Sequence, residues 1–389
     1  MYSVSSAFLA KAALHNAQWL RRMYIGASDY TGYVAKWPTI SKKWDDLRTQ
    51  TVSIELSNED KTFNFLSADP KLMRSTCSLK LGFAHVGSEE FITVFAGTID
   101  AARFQGGGCN MTLVDKFRRL ADRKIGDNSS AVSYTASNYL VHNMAWYACT
   151  SLGGLSAIAS TSNPDIDYQS FSSWTSAFSA DNVRVQAELT GQQPIEILRK
   201  LARLTQSAIY VENNRIKFTR FTIAGSGYYT LDETEIVDAA ASLDDRELVN
   251  KSWVSAAYDV SSRMFGLTVF QQSSDSQANY GLSEELISEN AVWLVDSVSA
   301  LNLAQRIINS QSEIKNKYHI KTALQALPAT IGDTILFQDA LLEVSDTFRI
   351  MGESLNMDTG EKTFDIDQTQ YYGSFILDVS LLDGTDILA

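Results

Sequence analysis

TVSIELSNEDKTFNFL, residues 51–66, alternates apolar and polar side chains on both sides of a turn-forming cluster. Val52, Ile54 and Leu56 fall on one side of the alternation, and Thr51, Ser53, Glu55 and Ser57 on the other, as strand geometry requires. Asn58-Glu59-Asp60 interrupts the period, and Phe63 and Phe65 resume it against Thr62 and Asn64. The spacing predicts a β-hairpin with Val52, Ile54, Leu56, Phe63 and Phe65 inside and a solvated tip at Asn58, Glu59 and Asp60. Two carboxylates at a tip suit either acid/base chemistry or a structural turn. The rest of the chain decides between them.

At 389 residues the chain has length for about two to four compact domains. A hydrophobic content of 45% and a charged content of 20% exclude global disorder. Aromatics at 11% with only 5 prolines favour β-rich packing. The net charge of −12 argues against a surface that grips nucleic acid, which needs clustered Lys and Arg to displace counterions. It is compatible with DNA passing nearby, since an acidic wall repels phosphate. Cys77, Cys109 and Cys149 are odd in number and lack CxxC spacing, which predicts no disulfide framework and folding in a reducing place. The apolar patch at 7–14 lacks a basic lead-in and is interrupted by Lys11, so no secretory signal is read there. No apolar run approaches the roughly 20 residues that span a bilayer.

A short helix is predicted over 3–14, with Ser3 or Ser5 as cap. Strands follow at 19–26, 78–83, 90–100 and 109–115. Gly106-Gly107-Gly108 between the last two lacks the helix and Lys-Ser/Thr pair of a phosphate loop and reads as a tight turn. A helix is then expected with Tyr139, Leu140, Asn143, Met144 and Tyr147 on one face, stopped by Gly153-Gly154. The Ser/Thr/Asn-rich passage 151–182 carries Asp165 and Asp167, then SFSSWTSAF (170–178), whose aromatics are expected to pack rather than stack on a ligand. Pro194 opens a second helix with Ile195, Leu198, Leu201 and Ala202 buried. Asn213-Asn214 is a two-residue hairpin signal. From about 244 the strand period returns, broken by a helix at 297–314 with Val298, Leu301, Ala304, Ile308 and Gln311 on a face. Asp358-Thr359-Gly360 is the turn between the last two strands.

The two β-blocks end alike. VFAGTIDAARFQGGGCNMTLVD (94–115) and RIMGESLNMDTGEKTFDID (349–367) each run from an apolar residue to a glycine two positions on, through a glycine turn, to an acid after an apolar residue. This is a weak internal repeat. The expected fold is therefore mainly β with an α/β insert: two related small β-barrel domains flanking a mixed α/β middle region. The divisions are 1–118 (N-terminal helix and first barrel), 119–243 (middle), 244–368 (second barrel with inserted helix) and 369–389 (a C-terminal docking tail).

Chemistry finds little support. His15, His85, His142 and His319 have no i+4 partner and no neighbouring cysteine, so neither a metal nor another cofactor is expected. His142 reads as a satisfied, partly buried histidine. The acid pairs Glu59/Asp60, Glu89/Glu90, Asp165/Asp167, Asp244/Asp245 and Glu284/Glu285 sit mostly at turn-like positions, where solvated carboxylates belong. Glycosidase chemistry needs two carboxylates across a cleft, which adjacency does not provide. No nucleophile elbow, HExxH, P-loop or dinucleotide fingerprint occurs.

In their order along the chain, TVSIELSNEDKTFNF, EFITVFAGTID with MTLVDKFRRL, QPIEILRKLARLTQSAIYVENNRIKF, ELVNKSWVSAAYD, YGLSEELI, ALNLAQRIINSQ, IGDTILF and the closing TFRIMGESLNMDTGEKTFDID resemble the tail hub (baseplate hub) proteins of tailed bacteriophages and related contractile injection systems. The resemblance implies a non-enzymatic homotrimer in which two barrels per chain build a ring of pseudo-sixfold symmetry. It implies as partners a tail tube or distal tail protein, a tip or spike protein and a tape measure protein. DNA would pass through without specific binding, and the protein would be made in the host cytoplasm and reside in the virion. No appended lysozyme-like or peptidase segment is expected, a departure from some relatives. The tail after 368 is apolar, so Tyr371, Tyr372, Phe375, Ile376 and Leu377 are candidate subunit or partner contacts. The alternatives are a β-rich receptor- or carbohydrate-binding tip protein, using Trp174 or Phe178, and a glycoside hydrolase.

Overall fold

The computed structural model describes residues 4–14, 18–44, 47, 49–69, 73–85, 88–126, 135–220, 229–244, 246–259, 261–288, 293–322 and 324–368. Helix α1 (Ser6–Ala12) starts at Ser5, whose hydroxyl accepts from the Phe8 N–H at 3.1 Å. Eight strands follow: β1 (Trp19–Ile25), β2 (Ser28–Asp29), β3 (Val34–Lys36), β4 (Thr39–Lys43), β5 (Thr51–Ser57), β6 (Thr76–His85), β7 (Ser88–Gln105) and β8 (Gly108–Val114). All but β4 join one sheet, in the order β2-β1-β6-β7-β8-β5-β3. Along β5 every second residue is buried, and Val52, Ile54 and Leu56 line the first core.

The second arm of the expected hairpin does not form. Thr62–Asn64 is a 3₁₀ turn running into a one-turn helix, α2 (Phe65–Ala68), and β5 pairs with β3 and β8 instead. Asn58 is the cause. Its Oδ1 accepts from the Phe63 N–H at 2.7 Å, its Nδ2 donates to Asn64 Oδ1 at 3.0 Å, and its own N–H reaches the Gly107 carbonyl at 2.6 Å. A side chain that satisfies nearby backbone offers an alternative to the ladder, and Lys61 turns the chain at φ 61°. Asn58 is thus a buried anchor, while Glu59 and Asp60 are exposed. Phe63 still reaches the core; Phe65 is only half-buried. The true hairpin is β7–β8, turned by Gly106 (φ 57°) and Gly107 (φ 80°), conformations that glycine adopts at no steric cost. Asn58→Ala is expected to cost about 1–3 kcal/mol, because it orphans the buried Phe63 N–H. Glu59→Ala should change stability by about 0.5 kcal/mol or less. Urea midpoints compare the two, and equal losses would refute the anchor.

The middle region holds α3 (Phe117–Ala121), β9 (Thr135–Leu140), α4 (Val141–Tyr147), α5 (Tyr168–Ala180), β10 (Arg184–Glu188), α6 (Pro194–Thr205), β11 (Ser207–Glu212) and β12 (Arg215–Arg220). Tyr139 and Leu140 end β9 instead of opening a helix, so the face of α4 is rotated: Val141, Met144 and Ala145 are buried and Asn143 is exposed. A π-turn (148–152) follows, and the chain leaves it at Gly153-Gly154. On α5, Phe171, Trp174 and Phe178 are buried, with Trp174 Nε1 donating to Ser207 Oγ at 2.9 Å. On α6 the expected stripe is buried, extended by Ile197 and Leu204. The β11–β12 turn holds Asn213 (φ 49°) and Asn214 (φ 59°).

The remaining elements are β13 (Tyr229–Leu231), β14 (Ile236–Asp244), β15 (Lys251–Asp259), β16 (Met264–Gln272), α7 (Ser274–Tyr280), β17 (Glu284–Ile287), α8 (Ser297–Gln311), β18 (Lys315–Thr322), β19 (Thr334–Asp339), β20 (Val344–Asn356) and β21 (Lys362–Gln368). The second large sheet runs β13-β19-β20-β21-β18-β14, with β4 of the first block added beside β20. Strands β16-β15-β17 form a separate small sheet whose inner face packs on α8 and shares the middle region's core. Strand pairing therefore crosses the divisions at 118 and 244: β4 reaches forward, while β13 and β14 belong with the last strands. The α8 stripe is Ala300, Leu303, Ala304, Ile307 and Ile308, and Val298 is exposed. Two helical ladders one step apart are both apolar in this sequence, and only the packing against β15 and β16 selects one.

The repeat is plain in the topology. The consecutive strands β5, β6, β7, β8 lie in the order β6-β7-β8-β5, and β18, β19, β20, β21 lie in the order β19-β20-β21-β18, every pair antiparallel. Each long strand breaks register, at Ile99/Ala101 in β7 and Ile350/Gly352 in β20. The repeated glycines sit where neighbours press in: a Cβ on Gly97 would lie 2.1 Å from the Val114 carbonyl oxygen, and one on Gly352 would lie 2.9 Å from Asp365 Oδ2. The fold is mainly β, with two half-barrel sheets around a mixed insert.

Candidate assembly surfaces and the junction between the halves

The two half-barrels meet at a buried ionic cluster. Glu353 on β20 receives Lys42 Nζ of β4 at 3.0 Å and Lys362 Nζ of β21 at 3.0 Å, and Thr330 Oγ1 donates to its Oε1 at 2.9 Å. Lys362, only 2% exposed, also donates to the carbonyls of Leu327 and Ala329. Burial opposes ionisation of Glu353, but the charges of Lys362 and Lys42 outweigh it and hold the carboxyl at about 2. Apolar packing seals the junction, since Leu327, Leu355 and Met357 of the second block belong to the first block's core.

A cleft of about 290 Å³ beside this cluster is lined by Ser41, Lys42, Gln50, Asp115 and Tyr210, among others. Asp115 follows β8, and burial lifts its carboxyl to about 7 even though it accepts from the Phe117 N–H at 3.1 Å. Its counterpart in the repeat, Asp367 on β21, is also raised, chiefly by burial.

The remaining acid pairs are mostly engaged. Asp60 accepts from the Tyr33 hydroxyl at 2.9 Å and the Thr62 N–H at 3.0 Å. Glu89 pairs with Arg22 at 3.0 Å, Glu90 accepts from the Ser5 N–H at 2.8 Å, and Glu284 pairs with Lys251 at 2.8 Å. Asp167 caps α5 through the Ser170 N–H. Asp165 departs most from a solvated turn: it is buried, takes Lys116 Nζ at 2.7 Å and the Ser156 N–H at 2.7 Å, and ties β8's exit to the 151–182 passage. Asp245 lies outside the described residues. These geometries hold segments together rather than face one another across a cleft.

His142 is buried, its Nδ1 finds no hydrogen-bond partner among the described residues, and burial lowers its pKa. His319 Nδ1 lies 2.8 Å from Asp365 Oδ1 on the surface, and His15 lies outside the described residues. Among the described residues no group of three or more His, Cys, Asp or Glu is arranged to hold a metal. The free thiols of Cys77 and Cys149 are pushed up to about 12 and that of Cys109 to about 11 by burial, which leaves them unreactive.

Two surfaces suit assembly. Strand β14 ends the second sheet with no further pairing strand among the described residues, is nine residues long, and leaves Val237 and Leu243 exposed. A long open edge is a template for pairing with another chain. The outer face of β16-β15-β17 is the other: register aligns Phe270, Trp253 and Leu286 across the three strands. Tyr371, Tyr372, Phe375, Ile376 and Leu377 lie outside the described residues, and neither surface has a sequence signal beyond the strand period itself.

A duplicated four-strand half-barrel, repeated within one chain around an α/β insert, is similar in fold to solved phage tail proteins. Three solved structures share it: a 43 kDa tail protein of prophage MuSo2 from Shewanella oneidensis (TM-score 0.56, 14% identity, covering 90% of this chain and 98% of that one), a tail protein from Neisseria meningitidis (TM-score 0.59, 10% identity, 90% and 96%), and the prophage tail protein gp18 from Listeria monocytogenes (TM-score 0.50, 12% identity, 89% and 94%). At these identities the likeness is one of fold. No protein-family model matches the sequence, and no curated protein does. No helix among the described residues is long and apolar enough to cross a membrane.

Proposed function

We propose that the chain is a structural hub of a phage tail tip or baseplate, resident in the virion and without catalytic activity of its own. The observation that carries this reading is the internal duplication: two half-barrels of identical strand order in one polypeptide. Three such chains present six similar barrels, which is how a trimer matches a sixfold tail tube on one side and a threefold tip or spike on the other. The near-complete coverage of solved tail proteins in both directions supports the same reading. The open β14 edge is a natural subunit contact in such a ring. The further partners are a distal tail protein and a tape measure protein, with DNA passing through the ring. The division at 118, 243 and 368 is kept as a description of first barrel, insert, second barrel and tail, with β4, β13 and β14 exchanged as above.

Light scattering on purified protein, and imaging of the native particle, test the reading directly. Three copies are expected; a ring of six full-length chains in the particle would sink it. Because the net charge is −12, the lumen should be acidic or neutral, and a channel ringed by Lys and Arg would contradict the DNA-conduit role. A carbohydrate-binding reading would need accessible stacking rings, whereas Trp174 and Phe178 are 1% and 0% exposed.

A further inference from the structure

One row across the outer face of the β16-β15-β17 sheet is apolar, between the polar pair Ser255/Thr268 and the polar row Gln272/Lys251/Glu284, where a solvated sheet face should be polar throughout. Phe270 and Trp253 stack with centroids 4.7 Å apart, and Leu286 continues the row. Phe270 is 46% and Leu286 61% exposed, with Leu282 at 62% just before β17. Lys251 lies over the Trp253 ring at 4.7 Å and pairs with Glu284, giving the row a charged border. Three adjacent strands make the row about 10 Å across.

The chain's end lies close by. Strand β21 runs antiparallel to β18 toward Lys315, so residues 369–389 leave at that end. There Lys317, the ladder partner of Asp367, binds Glu247 at 2.7 Å. The adjoining Leu248 carbonyl accepts from Ser283 Oγ at 2.7 Å, one residue before β17 begins. Tyr280 likewise donates to Glu313, near the start of β18, at 3.0 Å. The root of the tail is thus linked through two side-chain contacts to the border of the apolar row. Six residues, 369–374, span about 20 Å when extended, which sets the reach of Phe375.

We propose that residues 375–377 cover this row on the same subunit, with Phe375, Ile376 and Leu377 supplying the apolar contacts and Tyr371 and Tyr372 lying in the tether. The sequence alone assigned that segment to a neighbouring subunit or partner. Proximity reverses the choice of surface: a short tether gives an effective concentration in the mM range, about that of a concentrated protein solution or above. The tail then shields Trp253, Phe270 and Leu286, an exposed patch that would otherwise favour association. This does not depend on the hub reading, because it concerns one chain whether or not it enters a ring.

The test uses the full chain with Phe375→benzoylphenylalanine, made in light and heavy isotope forms, mixed in equal amounts in denaturant, refolded together and irradiated. Adducts at Trp253, Phe270, Leu282 or Leu286 joining peptides of one isotope are expected. Mixed-isotope adducts at the same row would mean that a neighbouring copy supplies the tail, and they overturn the proposal. Adducts confined to other surfaces, or none, overturn it as well. Leu286→Ser in the same background changes only an exposed side chain and is expected to cut the yield several-fold with the circular dichroism unchanged. An undiminished yield would place the tail elsewhere.

Discussion

Glu353→Ala is expected to lower folding stability by about 3–5 kcal/mol, the range for removing one partner of a buried ion pair. The loss comes mainly from what remains. Lys362 is almost fully buried in the junction, and without Glu353 its ammonium keeps the Leu327 and Ala329 carbonyls and the charge of Asp333 but no direct counterion to offset desolvation. Lys42 loses this contact at the same time, so β4 loses one of its anchors to β20. Replacing Glu353 and Lys362 together by methionine should recover much of the loss, since well-packed apolar groups often substitute for a buried pair without penalty. The pH dependence has a definite sign. The Glu353 carboxyl is lowered from 4.5 to about 2, so the folded state binds fewer protons in that window than the unfolded state. Its contribution is whole above about 4.5 and lost as the pH falls through about 2. Denaturant midpoints measured down that range should converge for wild type and Glu353→Ala. A constant difference between them would refute the role assigned to the charge.

The strand period, the glycine turns and the aromatic spacing of 170–178 were legible because each depends on local geometry alone. The duplication was legible only as an echo in two closing hairpins; its strength lies in strand order, which a sequence does not display. What misled were positions where a side chain competes with the backbone or a partner arrives from far away. Asn58 drew the chain out of its hairpin, and α8 had two apolar ladders of equal merit. The β4–β20 pairing joins residues more than 300 apart, as Lys42 and Glu353 show, and nothing near residue 40 announces it. Asp165 read as a turn acid because Lys116 is 49 residues away. The candidate assembly surfaces were illegible for a related reason: an edge or an outer face is defined by what fails to cover it.

Phe63→Ala is expected to cost about 3–5 kcal/mol, the range for emptying a buried aromatic site. Phe63 is 0% exposed and lies edge-on to Tyr33, with centroids 5.4 Å apart and planes at 85°. Tyr30 sits 5.4 Å from it on another side. Such edge contacts add to the area term, and the site cannot collapse easily because β5 and β8 hold the wall behind it. Phe65, two residues on, is the internal control. The alternation of Phe63 and Phe65 predicts the same burial for both and therefore the same cost. In the structure the 3₁₀ turn swings them apart, and Phe65 stays half-buried at 6.2 Å from Phe63. Its truncation should cost roughly half as much or less, in proportion to the apolar area it removes from water. Urea unfolding of the two variants separates a strand from a turn at 62–66. Equal large losses would restore the hairpin; a clear difference in favour of Phe63 means that Asn58 has set the path of the chain.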